Sequence, residues 1–109
     1  MKELAQGSLL VTVFGGSGFL GSHVADQLSM AGHRVRVFDR VASPWLKGDQ
    51  EMIIGDVGEL GAVLAAAEGA DVVYNFAALA DLNDALDQPL QSVLVNVLGN
   101  THVLEACRK

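Results

Sequence analysis

Glycines at positions 15, 16, 18 and 21, set directly behind the apolar run Leu9-Leu10-Val11-Thr12-Val13-Phe14, are the residues of this chain best suited to chemistry. Without side chains, such a turn lets backbone come close to a pyrophosphate, and the unpaired N–H groups at the start of a following helix bind it. Two patterns overlap here. Gly15, Gly18 and Gly21 give G-x-x-G-x-x-G, and Gly16, Gly18 and Gly21 give G-x-G-x-x-G. With a strand before and a helix after, they read as a dinucleotide cradle built from Gly15, Ser17, Gly18, Phe19, Leu20 and Gly21. Gly21-Ser22-His23 lacks the lysine of a Walker A loop, which excludes that alternative.

Two carboxylates stand where such a ligand would need acceptors. Asp39 ends a second apolar run, 18 residues after Gly21. There it can accept both adenosine ribose hydroxyls and repel a 2′-phosphate, which favours NAD. Arg40 beside it can meet a 2′-phosphate, so NADP stays open. Asp56, in Ile54-Gly55-Asp56-Val57, can accept the adenine amino group while Val57 covers the ring; it can equally cap the next helix. Phe76, Ala77, Ala78 and Ala80 form a small-residue stretch that lets backbone approach a ligand across the crevice, or they are ordinary core.

Other reactive types are less promising. His23, His33 and His102 have no cysteine or carboxylate at ligand spacing, so no metal site is expected. They read as surface or helix-packing residues. Cys107 is read as core, and Trp45 as a packed loop anchor or an adenine shield.

The elements that position these residues alternate. Strands are expected at Leu9–Phe14, Arg34–Asp39, Glu51–Ile54 and Asp71–Phe76. Helices are expected at Phe19–Ala31, with Leu20, Val24, Leu28 and Ala31 at helical spacing, and at Glu59–Glu68. A long last helix should open with Asp87 as N-cap and Pro89 in its first turn. Its expected buried face is Leu90, Val93, Leu94, Val97, Leu98, Leu104 and Cys107, interrupted by Gly99. Right-handed crossovers then give an α/β fold, a Rossmann-like doubly wound parallel sheet of about four strands in order 3-2-1-4. The ligand crevice should lie between strands one and four.

The chain has 109 residues, enough for a single domain, 1–109, and a net charge of −6. That charge argues against nucleic acid or an anionic membrane as partner. Backbone N–H groups can still hold a phosphate. Mean hydropathy is +0.34, yet no apolar run reaches the ~20 residues of a membrane span. A lone cysteine and no signal-like start lead to an expected cytoplasmic location.

Together these residues resemble the N-terminal part of the extended short-chain dehydrogenase/reductase family, the NAD-dependent epimerase/dehydratase group. The resemblance rests on Gly15-Gly16-Ser17-Gly18-Phe19-Leu20-Gly21-Ser22-His23, Asp39, Gly55-Asp56, Asn75-Phe76-Ala77-Ala78, Pro89 and Asn96-Val97-Leu98-Gly99 through Cys107. Phe14 stands where the family usually has Thr, and Asn100 interrupts its usual Gly-Thr. The resemblance implies hydride transfer between a nicotinamide cofactor and a nucleotide sugar, a Tyr-x-x-x-Lys base, and a supporting asparagine matched by Asn96. Tyr74, the only tyrosine, is followed four positions later by Ala78, so the chain lacks that catalytic motif. It therefore reads as the cofactor-binding part of a longer enzyme, truncated before strand five. A non-catalytic dinucleotide-binding sensor or interaction module is the alternative. An uncovered fourth strand, with Val72, Val73, Tyr74 and Phe76, is expected to drive homo-oligomer formation through that edge or by swapping of the last helix.

Overall fold

The computed structural model describes residues 7–78 and 86–108. Strands β1 (Leu10–Phe14), β2 (Arg34–Asp39), β3 (Glu51–Ile54) and β4 (Val72–Asn75) form one parallel sheet in the order β3-β2-β1-β4. Both β2 and β3 appear with the boundaries read from sequence. Register runs Val13↔Val37 between β1 and β2, and Val13↔Tyr74 between β1 and β4.

The period of two along β1 and β2 divides the core into two layers. Val11, Val13, Val35 and Val37 face helix α1 (Phe19–Met30), where Ala25 meets them. Phe14 and Phe38 face the opposite way, with ring centroids 5.0 Å apart, under Val63 and Ala66 of α2 (Leu60–Ala67). Phe14 thus fills core volume where a hydroxyl would have served only the turn. On the same face, Thr12 is fully buried and its Oγ1 donates to the Ala66 carbonyl at 2.8 Å. The Arg36 guanidinium donates to the same carbonyl at 3.2 Å and to that of Glu68. A cation and a hydroxyl therefore close the C-terminal end of α2, where carbonyls lack helical partners.

The last helix runs as α3 (Pro89–Val93), a π-helical stretch (Leu94–Gly99) and α4 (Asn100–Arg108). Pro89 occupies its first turn as expected, but Gln88 rather than Asp87 is the N-cap. The expected buried face is corrected: Leu90, Val97 and Leu104 are 73%, 60% and 62% exposed, Val93 and Leu98 are also exposed, and so is Cys107. Only Leu94 of that set is half-buried. The buried stripe is Val95, Gly99 and Val103. The π-helical stretch underwinds the helix, which keeps residues four apart on one line. Gly99 explains the choice: a Cβ there would stand 2.6 Å from Val57 Cγ2, so the helix rests with bare backbone on that valine.

Helix α1 departs from expectation in a similar way. Its buried residues are Gly21, Ser22 and Ala25, whereas Leu20 is 57% exposed. The small residues win because α1 begins immediately against the glycine turn, where a larger side chain has no room. Among the described residues, no helix is long and apolar enough to cross a membrane.

Candidate functional site: a crevice at the strand ends

Parallel strands deliver all their carboxyl ends to one edge. At that edge, where the chain order reverses between β1 and β4, lies a cavity of about 410 Å³. Such a switch point is where open α/β sheets take ligands, and the volume suits a bound small molecule.

The glycine turn forms one wall. Gly15 has φ +78°, and a Cβ on it would collide with the backbone of Phe76 and Ala77 at 2.5–2.8 Å. Its N–H donates to the Phe38 carbonyl at 2.8 Å. A Cβ on Gly21 would strike the Gly15 carbonyl. These two glycines are demanded by the fold itself. Gly18 is different. It has φ −78°, lines the cavity, and a Cβ on it would meet only the Gly15 carbonyl oxygen, at an ordinary 3.5 Å. Packing does not require glycine there. Behind it, the first N–H groups of α1 have no side-chain cap, and a helix leaves these donors without internal partners. A pyrophosphate fits this arrangement: open backbone, free donors and the positive end of a helix dipole. Phe19 and Leu20 are exposed at the same helix start, with the Phe19 ring edge-on to His23 at 4.6 Å.

Asp39 forms the second wall. Its Oδ2 accepts from the Ser17 N–H at 3.0 Å and its Oδ1 from the Arg40 N–H at 2.7 Å. Ser17 Oγ donates to the Val41 carbonyl at 2.7 Å. The carboxylate thus ties the end of β2 to the glycine turn, a role not read from sequence. An ionised carboxylate offers about four acceptor positions, so two remain open toward the crevice. Arg40 and Val41 continue this wall.

The remaining lining comes from the segments after β3 and β4. Gly55 and Val57 line the cavity, as do Phe76, Ala77 and Ala78. Asp56 does not line it. Its Oδ1 accepts from the Gly58 N–H at 2.8 Å, closing a turn just before the α2 N-cap, Glu59. Asn96 lies outside the lining too; its exposed Nδ2 donates to Ser92 Oγ at 3.3 Å. Ala80 lies outside the described residues. Trp45 is neither packed nor at the cavity: it is 53% exposed. Phe38, Gly55, Val41 and Val95 also line the crevice and were missed as site residues. Phe38 and Gly55 had a signal, since both sit next to the strand-end aspartates Asp39 and Asp56.

The comparisons agree with this geometry. The family model described as "NAD dependent epimerase/dehydratase family" matches residues 11–109. Human 3 beta-hydroxysteroid dehydrogenase type 7 is 40% identical over 117 residues, covering 98% of this chain and 31% of that protein. A 3-beta-hydroxysteroid dehydrogenase of Mycolicibacterium neoaurum is 36% identical, covering 92% of this chain and 28% of its own length. Among solved structures, UDP-glucose 4-epimerase of Thermus thermophilus in complex with NAD superposes with a TM-score of 0.83 at 30% identity, covering 92% of this chain and 34% of that one. The Brucella ovis UDP-glucose 4-epimerase, also in complex with NAD, gives 0.81 at 28% identity over 93% of this chain and 32% of that one. This chain therefore spans about a third of the length of the curated relatives it matches. Strand order, glycine turn and sequence match point the same way, and the chain belongs to the NAD-dependent epimerase/dehydratase family.

Proposed function

We propose that this chain is the NAD-binding part of an enzyme of that family. The observation that carries the reading is Gly18, a glycine that packing does not need, facing a crevice at the sheet's switch point. The open backbone at Gly18 and the N–H groups of Phe19 and Leu20 at the start of α1 hold the pyrophosphate, Asp39 takes the adenosine ribose, and Val57 borders the adenine side with Asp56 beside it. NAD, when bound, supplies the hydride acceptor. The protein's part is to orient it and to cover it with Phe76, Ala77 and Ala78. The relatives are named for steroids in some cases and for UDP-glucose in others. They share this stretch, so cofactor binding rather than substrate choice is its contribution. A nucleotide sugar as the substrate of the whole enzyme, and a cytoplasmic setting, belong to the same proposal.

Calorimetric titration with NAD and NADP tests the reading. NAD should bind saturably and more tightly than NADP, and Gly18→Val should abolish the binding. A folded chain that takes up neither dinucleotide would overturn the proposal. A homo-oligomer through β4 is the accompanying expectation. Among the described residues that strand pairs with β1 alone, and the exposed Tyr74 ring stacks on Phe76 at 6.1 Å. Light scattering should show at least a dimer; a monomer at high concentration would remove this part.

A further inference from the structure

Two further segments border the crevice, Gly55-Asp56-Val57, of which Gly55 and Val57 line it, and Phe76-Ala77-Ala78 beside Gly15. Both present mainly backbone and small side chains to it, while Val57 and Phe76 pack into the core and Asp56 closes a turn. Each is held from the same turn of the last helix. His102 Nδ1 lies 2.8 Å from the Val57 carbonyl oxygen. Asn100 Oδ1 lies 2.9 Å from Asn75 Nδ2, and Asn75 Oδ1 in turn accepts from the Ala77 N–H at 3.0 Å. Gly99, one residue earlier, lets the helix backbone come down on Val57.

We propose that Asn100 and His102 are positioning residues that set the width of the dinucleotide crevice by clamping these two segments to one helix. The proposal rests on the NAD-binding reading above.

The hydrogen-bond directions follow from chemistry. The Ala77 N–H can only donate, so the Asn75 oxygen must face it and the Asn75 amide must face Asn100. Asn100 is therefore the acceptor of this pair. The Val57 carbonyl can only accept, so His102 carries its proton on Nδ1. His33 has the opposite assignment: its Nδ1 accepts from the Leu9 N–H at 3.0 Å. The two histidines should thus show different tautomers in one molecule. Asn100 is also where the chain departs from the Gly-Thr of its family.

These directions give conservative variants that separate positioning from mere presence. Asn100→Asp keeps the acceptor, whereas Asn100→Leu removes it. His102→Asn keeps a donor near the place of Nδ1, whereas His102→Leu removes it. In NAD titrations of the 109-residue chain, both leucine variants should bind about threefold to tenfold more weakly, the loss expected for one hydrogen bond. The Asp and Asn variants should stay within about twofold of the parent chain.

Nuclear magnetic resonance without ligand supplies the second reading. Asn100→Leu should speed amide exchange at Ala77, His102→Leu should move the Val57 carbonyl carbon shift, and neutral His102 should carry its proton on Nδ1. Leucine variants that bind NAD as tightly as the parent, or Asp and Asn variants as weak as leucine, would overturn the clamp. If His102→Leu fails to fold, the exposed Asn100 pair decides. If the parent chain binds no NAD, the proposed function fails, while the Ala77 and Val57 resonances still decide whether the helix holds the two segments.

Discussion

The two layers on either side of the sheet are built on different terms. Under α1 the apolar surface is closed: Val11, Val13, Val35 and Val37 meet Ala25, and the helix starts tight against the glycine turn. Under α2 and the last helix, only one stripe of the last helix is covered. Val95, Gly99 and Val103 point inward, while Leu90, Val93, Val97 and Leu104 stand in the open. The α1 layer also leaves Phe19, Leu20 and Met30 exposed at the helix ends, and the other offers a second apolar face on the last helix; among the described residues β4 pairs with β1 alone.

The largest effect should come from the closed side. Gly15→Val places a branched side chain at φ +78° against the Phe76–Ala77 backbone. It should cost more than about 3 kcal/mol, enough to leave much of the chain unfolded in urea titrations. A milder loss would mean that the turn yields more than its contacts imply. The next contrast lies within the last helix. Val103→Ala should destabilise by about 2 kcal/mol, because it removes methyl groups from the core. Leu104→Ala, one position on and 62% exposed, should change stability by less than about 0.5 kcal/mol. If the two neighbours respond alike, the assignment of the buried stripe is wrong. An effect between those two concerns the layer boundary. Thr12→Val should cost about 1 kcal/mol by removing one donor from the Ala66 carbonyl, since Arg36 continues to serve it. A loss several times larger would make Thr12 the main lock on α2.

Sequence pattern predicted most where backbone alone decides. The alternation in Arg34–Asp39 and the short Glu51–Ile54 run could be placed to the residue, and the order 3-2-1-4 followed from parallel crossovers. The glycine turn was legible because nothing else explains so many glycines between a strand and a helix. Helical faces were harder. In α1, hydrophobicity pointed to Leu20, while proximity to the turn selected Gly21 and Ala25. In the last helix, a regular period pointed to Leu90, Val97 and Leu104, whereas the π-helical stretch turned Val95, Gly99 and Val103 inward. A local change of winding leaves no mark in a hydrophobic period. At the site, the positions of Asp39 and Asp56 were readable, as was a turn-closing role for Asp56 before the next helix, but not that Asp39 accepts the N–H groups of Ser17 and Arg40. The bond from Ser17 depends on β1 and β2 lying side by side.

The double engagement of Asp39 bears on how cofactor preference in such a fold can be altered. The acid that would discriminate one dinucleotide from another is also a staple joining two strand ends through Ser17 and Arg40. Replacing it to admit a 2′-phosphate would therefore loosen the turn proposed to hold the pyrophosphate, and specificity and shape cannot be inherited separately. A lineage, or an engineer, that wishes to exchange the cofactor must first supply a new hold on the Ser17 N–H and only then release the charge.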